Sequence, residues 1–428
     1  MTRATPGAVA RAVIARRTGL FRRFHAVPHD AGDAAVRQIV GAPAAHDILP
    51  GGGAIAIPGG RGDAIADAWP RALFEAIERY CPAIVDEARL VRAAAGEDPR
   101  FVRGDMFSAA QYASPGFPFR PLGADAAVHW VEGRSLVDDR ARFVPAPFVY
   151  LPWRPRSRDE LLGPNTSTGT AAGPSWEWAC IGGLLEVCER DAFAIAWLAG
   201  LSMPRLIPVA GTQIARRLAK LIAGDARVDF VDLTNDLGAP VVLAVHRRPL
   251  RGRPLVTVGA AACASRARAA TRALFEAAGQ YARLREMAGP GGAPAWRPRP
   301  DFSDVTEFEH HSLAYAEPAM QPRLDFLTAS SSTRPLDDDD DAPRDGAFLA
   351  RIVASVAAAG HDVVVVDLTT REIAELGVRV VKVVVPGAVP LAPDHRYPLL
   401  GSRRLLEVPA RLGIAPAALQ LDIPHPFA

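Results

Sequence analysis

One phrase recurs three times in this 428-residue chain. Residues 71–80 read RALFEAIERY, residues 183–191 read GLLEVCERD and residues 272–281 read RALFEAAGQY. Each gives Leu, then Phe or Leu, then Glu, with a polar residue three or four places on. On a helix, positions i, i+3 and i+4 share one face. Glu75 therefore points with Glu78, Glu186 with Glu189, and Glu276 with Gln280. A like-charge pair on one helical face is unfavourable by about 0.2–0.5 kcal/mol. Glu-x-x-Glu is common on solvated helices, where it needs no explanation. Here the pairs stand among Ala72, Leu73, Ile77, Leu184, Leu185, Val187, Ala273 and Leu274, a pattern that predicts largely buried helices. Buried carboxylates must be paired or hold a metal. The copies lie roughly 100 residues apart, beyond the 20–50-residue period of solenoids. The pattern predicts three helices gathered by one fold around a hard cation.

The rest of the composition narrows the partners of such a site. Of the 49 basic residues only Lys220 and Lys382 are lysine. Arginine suits fork-like binding of phosphate or carboxylate oxygens, and a G-x-x-x-x-G-K-[ST] phosphate loop is absent. A net charge of +2 argues for neither nucleic acid nor membrane, and no run is apolar enough for a membrane span. Cys81, Cys180, Cys188 and Cys263 lack C-x-x-C spacing, which leaves zinc and disulfide frameworks unsupported and fits a reducing cytoplasm. The Arg-rich first 25 residues lack a signal-peptide apolar core, so no targeting is expected.

Along the chain, residues 1–50 read as short helical patterns and loops, and the Gly-rich 51–64 as a flexible turn. Acidic helices are predicted over about 65–82, 176–199 and 265–287, with further helices over 211–223, 346–359 and 371–376. Strands are predicted over 129–136, 142–153, 227–233, 240–246, 255–262, 363–370 and 378–386. Residues 288–304 and 329–346, with DDDDD at 337–341, read as exposed or disordered loops, and 421–428 as an extended, Pro-fixed tail. The alternation of helix and strand predicts a mixed α/β architecture.

TSTGTAAG and GLLEVCERDA (within 166–192) resemble the signature of YcaO-domain proteins. FEAIERY (74–80), FEAAGQ (275–280), WVEGRSL (130–136), VVDLTT (365–370), VKVVVPG (381–387) and PHPFA (424–428) are similar to the same family, in the same order. The resemblance implies an N-terminal segment, 1–57, and a YcaO catalytic domain, 58–428. It implies mixed sheets with acidic helices converging on a site for ATP and Mg2+. Glu75, Glu78, Glu186 and Glu189 match metal positions, and Glu276 a metal or nucleotide position. Arg79, Arg190, Ser167, Thr168 and Gln280 match the nucleotide-contacting segments. The tail is expected to reach the site, with His425 as proton acceptor and Ala428 at its tip.

The activity implied is that of a bacterial, cytoplasmic cyclodehydratase forming azolines in a ribosomally made precursor peptide. A separate E1-like, leader-binding partner is expected, in a homodimer or hetero-complex. Thioamide or amidine formation, or a non-catalytic scaffold subunit, are the alternatives. Four departures from the family pattern stand out: Arg71 for Ser, Thr168 for Asn, Trp178 for Glu (with Glu177 one place out of register), and a final Ala428 for Pro.

Overall fold

All three acidic segments are helices, and each is packed onto a strand through glycine. The computed structural model describes residues 5–15, 19–29, 33–44, 57–289, 291–338, 344–414 and 418–427. The first acidic helix, Ile65–Tyr80, carries Pro70 inside it, which removes the helical hydrogen bond that residue 70 would give to the Ala66 carbonyl. The second, Trp176–Leu198, starts at Ser175, whose side chain accepts from the Trp178 N–H. The third, Arg266–Met287, starts likewise at Ser265, which accepts from the Arg268 N–H. Such caps satisfy the orphan donors of a helix start.

Three sheets carry these helices. The first is antiparallel: β1 (Phe21–Ala26), β2 (Arg37–Pro43) and β3 (Gly59–Gly62). It joins residues on both sides of the expected boundary at 57, and Phe21–Ala26 and Arg37–Pro43 are strands where short helical patterns and loops were expected. Then β4 (Leu90–Ala94), β5 (Ala127–Ser135), β6 (Ala141–Pro145) and β7 (Thr170–Gly173) begin a six-stranded sheet. The run expected to be a strand to 153 stops at Pro145, because Pro145 and Pro147 cannot donate to a ladder. A five-stranded sheet follows, from β8 (Arg205–Pro208), β9 (Arg227–Asp232), β10 (Val241–Arg247), β11 (Val256–Ala262) and β12 (Thr333–Leu336), in the order β11-β10-β9-β8-β12. β12 lies within a segment expected to be an irregular loop; it pairs parallel to β8. Last, β13 (Val364–Asp367) and β14 (Arg379–Val384) complete the six-stranded sheet as β4-β5-β13-β14-β7, with β6 on β5.

Glycine sets how near each helix comes. A Cβ on Gly60 of β3 would lie 2.1 Å from the Ala68 carbonyl oxygen, and one on Gly259 of β11 would lie 2.4 Å from that of Ala273. In the second helix a Cβ on Gly183 would lie 2.4 Å from the Gly169 carbonyl oxygen. These contacts bring backbone almost onto backbone, so the Glu residues that follow are fixed relative to the sheets. The second helix is apolar nearly all round and lies in the largest core, beside β7, β11 and β14.

Candidate active site

The five glutamates of the repeated phrase line one cavity of about 1360 Å3. Glu75 and Glu78 come from the first helix, Glu186 and Glu189 from the second, and Glu276 from the third. Two modules are built alike. Arg79 lies 3.7 Å from Glu75 and 3.4 Å from Glu78; Arg190 lies 3.7 Å from Glu186 and 3.6 Å from Glu189. Glu186 is further held by the Gly169 N–H at 3.0 Å, and Glu189 by the Ala262 N–H at 3.3 Å. The third helix departs from the pattern. It has Gly279 where the first has Glu78, and Arg61 of β3 lies over that glycine; a Cβ there would be 2.0 Å from Arg61 Nε. The third module thus takes its cation from another element.

The arginines do not satisfy the carboxylates. Burial, reinforced by Glu186 and Glu75, holds Glu78 well above the usual carboxyl range despite Arg79. Burial likewise raises Glu75 and Glu276. Glu189 is pushed up to about 8, by burial first and then by Glu276 and Glu186. Desolvated carboxylates so close together call for more positive charge. Elsewhere in the cavity the demand is reversed. Arg71 and Arg344 both fall below their ordinary range, Arg344 to about 10, through burial and neighbouring arginines. One cavity therefore asks for cations at its carboxylates and anions at its arginines.

A magnesium polyphosphate meets both demands. Among the described residues no three acidic, His or Cys side chains form a cage for an ion. Magnesium is usually held by one or two carboxylates together with substrate phosphates, not by an all-protein cage. Buried and lacking a partner are Arg61 Nε, Arg79 Nε, Thr170 Oγ1 and Arg344 Nε, all on residues that line this cavity. Unpaired buried polar atoms are costly, and phosphate oxygens would satisfy the three guanidinium donors. The residues present fit the group.

Residues 59–389 match the family described as YcaO cyclodehydratase, ATP- and Mg2+-binding. The chain belongs to the YcaO family. A solved heterocyclase in complex with substrate and cofactor has the same fold, with a TM-score of 0.75 at 22% identity; the match covers 99% of this chain and 57% of that one. YcaO from Methanopyrus kandleri, bound with AMPPCP and Mg2+, superposes with a TM-score of 0.61 at 23% identity, over 90% of this chain and 88% of that one. An uncharacterized protein of Methanothermobacter thermautotrophicus is 28% identical over 350 residues, 78% of this chain and 82% of its own. ATP and Mg2+ are the cofactors of this YcaO chain, as the residues anticipate.

Other expected YcaO site residues stand elsewhere. Gln280 is buried: its carbonyl accepts from the Val258 N–H at 2.9 Å and its amide donates to the Pro426 carbonyl at 3.2 Å. It holds the tail and does not line the cavity. Ser167 does not line the cavity; its carbonyl accepts from the Thr170 N–H at 2.8 Å. Thr168 lines a second pocket instead. His425 is buried, its Nε2 3.0 Å from the Ala392 carbonyl, and burial holds it far below the ordinary imidazole range. It does not line the cavity. The tail does approach: Phe427 lies under the Arg190 guanidinium at 4.5 Å. Ala428 lies outside the described residues.

Trp178 lines the cavity with the Arg344 guanidinium 4.9 Å from its ring. A cation-bearing aromatic thus stands where the family pattern has an acid. Arg71 and Arg272 also line the cavity, each four residues before a glutamate. Their signal was in the repeat itself, as the first letter of RALFE. Arg61, Arg217, Arg268 and Arg344 had none, because only the fold brings them there. Asp338 of the acidic run also lines the cavity, where it accepts from the Gln213 and Ile214 N–H groups, both at 2.7 Å. It adds to the Thr212 cap of the helix Gln213–Leu221 while staying exposed, as expected of the acidic run.

Proposed function

We propose that this chain is the ATP-dependent component of a peptide cyclodehydratase, forming azoline rings in a ribosomally made precursor peptide. The observation that carries this reading is the convergence of five glutamates and the arginines on one cavity. Glu75, Glu78, Glu186, Glu189 and Glu276 would hold Mg2+, and Arg61, Arg79, Arg190 and Arg272 would meet phosphate oxygens. Bound Mg2+ neutralises charge on the transferring phosphoryl group.

A Cys, Ser or Thr side chain of the peptide attacks the preceding backbone carbonyl. The S–C or O–C bond forms, the carbonyl π pair moves onto oxygen and the nucleophile's proton passes to water. That oxygen takes the terminal phosphoryl of ATP and ADP leaves. The amide nitrogen then loses its proton, the C–O bond breaks, inorganic phosphate departs and C=N closes the ring. Amide oxygen is a very poor leaving group, and phosphorylation is what the nucleotide supplies. Arg79 and Arg190 are placed by their glutamates, so charge that develops on the transferring group meets preorganised donors.

The precursor's leader is proposed to be recognised by a separate E1-like partner protein, in a homodimeric or hetero-complexed enzyme. The test is mass spectrometry of a candidate precursor peptide incubated with this protein, partner, MgATP and, in parallel, a sulfide source. Loss of one water mass per ring, with matching phosphate release, is expected. Exchange of oxygen for sulfur would replace the azoline reading with thioamide formation. Nucleotide binding without hydrolysis or mass change would leave a scaffold subunit.

A further inference from the structure

A second pocket, of about 450 Å3, shares a wall with the carboxylate cavity. Glu186 and Val187 are neighbours on the second acidic helix; the first lines the cavity and the next lines the pocket. Thr170 of β7 lines the cavity and Lys382 of β14 lines the pocket, and the two are directly paired across their strands. Cross-strand partners stand on the same sheet face, about 5 Å apart at Cβ.

Both wall residues are buried and under-used. Lys382 is 4% exposed and Thr170 3%. The Lys382 ammonium donates to the Thr166 carbonyl at 2.9 Å, one bond from a group with three donors. Thr170 Oγ1 has no partner. In a chain whose 49 basic residues include only two lysines, a lysine at this wall is a departure from habit. An ammonium is a compact charge that donates in any direction, whereas guanidinium is a broad planar fork. The remaining walls are mostly apolar, with Val144, Phe148, Val385 and Leu399 among them.

Phosphoryl transfer requires donor and acceptor to meet, and nucleotide occupies the cavity side. The acceptor, a neutral peptide amide, needs an apolar seat of a few hundred Å3 with a well-placed donor, a usual size for a small-ligand site. We propose that this pocket seats the pair of peptide residues being cyclised, and that Lys382 Nζ donates a hydrogen bond to the attacked carbonyl oxygen as it becomes an oxyanion. The assignment rests on the function proposed above and names where the substrate sits.

The experiment uses the full chain with its partner, a fluorescein-labelled precursor peptide and MgATP. Lys382→Met keeps a similar volume without the charge. It is expected to lower kcat for ring formation about 100-fold, the usual loss of one oxyanion donor, with peptide KM and MgATP affinity within about twofold of wild type. Ala388→Phe, which fills the pocket, is expected to weaken peptide binding by fluorescence anisotropy at least tenfold while MgATP binds normally. Either an unchanged kcat in Lys382→Met or a matching loss of MgATP affinity would overturn the role of Lys382. Unaltered peptide affinity in Ala388→Phe would overturn the seat. A wild-type product heavier by the oxygen-to-sulfur difference would sink only the azoline reading, because both reactions begin from the same activated amide.

Discussion

Gly279 shows how a missing side chain can build a site. The third copy of the repeated phrase has Gly-Gln where the first has Glu-Arg, so from sequence Glu276 shares its face with Gln280 and not with a second carboxylate. In the structure the vacancy is filled by Arg61, whose guanidinium stem lies where a Cβ of residue 279 would fall, and Gln280 turns to the tail. Gly279→Ala pushes against the far part of a flexible side chain, so the fold tolerates it while Arg61 is displaced. MgATP affinity is expected to fall about tenfold, near the worth of one charge-assisted hydrogen bond. Arg61→Ala should cost a similar amount, and the double variant no more than either alone. Isothermal titration of the four proteins checks this, and additive losses would refute the shared mechanism.

At the scale of elements, the acidic helices were legible because a 3.6-residue period and an interior rich in small residues leave few alternatives. Their burial was legible too, but not how closely each approaches its sheet. That approach depends on Gly60, Gly183 and Gly259 meeting backbone from distant segments, and no local pattern marks a glycine as a contact of that kind. The tail carries the other lesson of this scale. Its histidine invites a catalytic reading, yet the His425 ring stacks on that of His311 with centroids 3.8 Å apart. His311 has a carbonyl oxygen near each ring nitrogen, an arrangement that suits a charged ring. Burial outweighs it and holds His311 down to about 4, while His425 is lowered by burial, His311 and Arg190. The unfolded rings titrate near 6.5. Below the unfolded value the unfolded chain binds more protons, so stability is present above about 6.5 and drains as pH falls. Wild-type melting temperature should therefore drop from pH 7 to pH 5 more steeply than that of His425→Phe. Parallel curves would mean that the pair titrates elsewhere.

For the molecule as a whole, the cavity is where three sheets each contribute one acidic helix, so binding and folding share the same charges. The repeat made this convergence readable in outline, and the arginine excess pointed to phosphate or carboxylate oxygens. The identity of the arginines beyond the repeat was hidden, since they come from β3 and from helix and loop positions without periodicity. A site of like charges is a source of instability when empty. Glu189 retains its proton in the folded protein up to about 8, against about 4.3 in an unfolded chain. The folded state thus holds the extra proton between those values, and stability falls as pH rises through that window. Glu189→Gln removes the titration but keeps an oxygen for the Ala262 N–H. Without nucleotide at pH 8.5 the variant should melt higher than wild type by roughly 2 °C or more, with the difference shrinking toward pH 5. Saturating MgATP should reverse the order, because ligand bound only to the folded state adds stability in proportion to its affinity. Such a crossing would show that this carboxylate is kept for ligand at the expense of the empty fold. If the variant instead melts lower at every pH and still binds MgATP as tightly as wild type, Glu189 serves the structure and the ions are held by the other four glutamates.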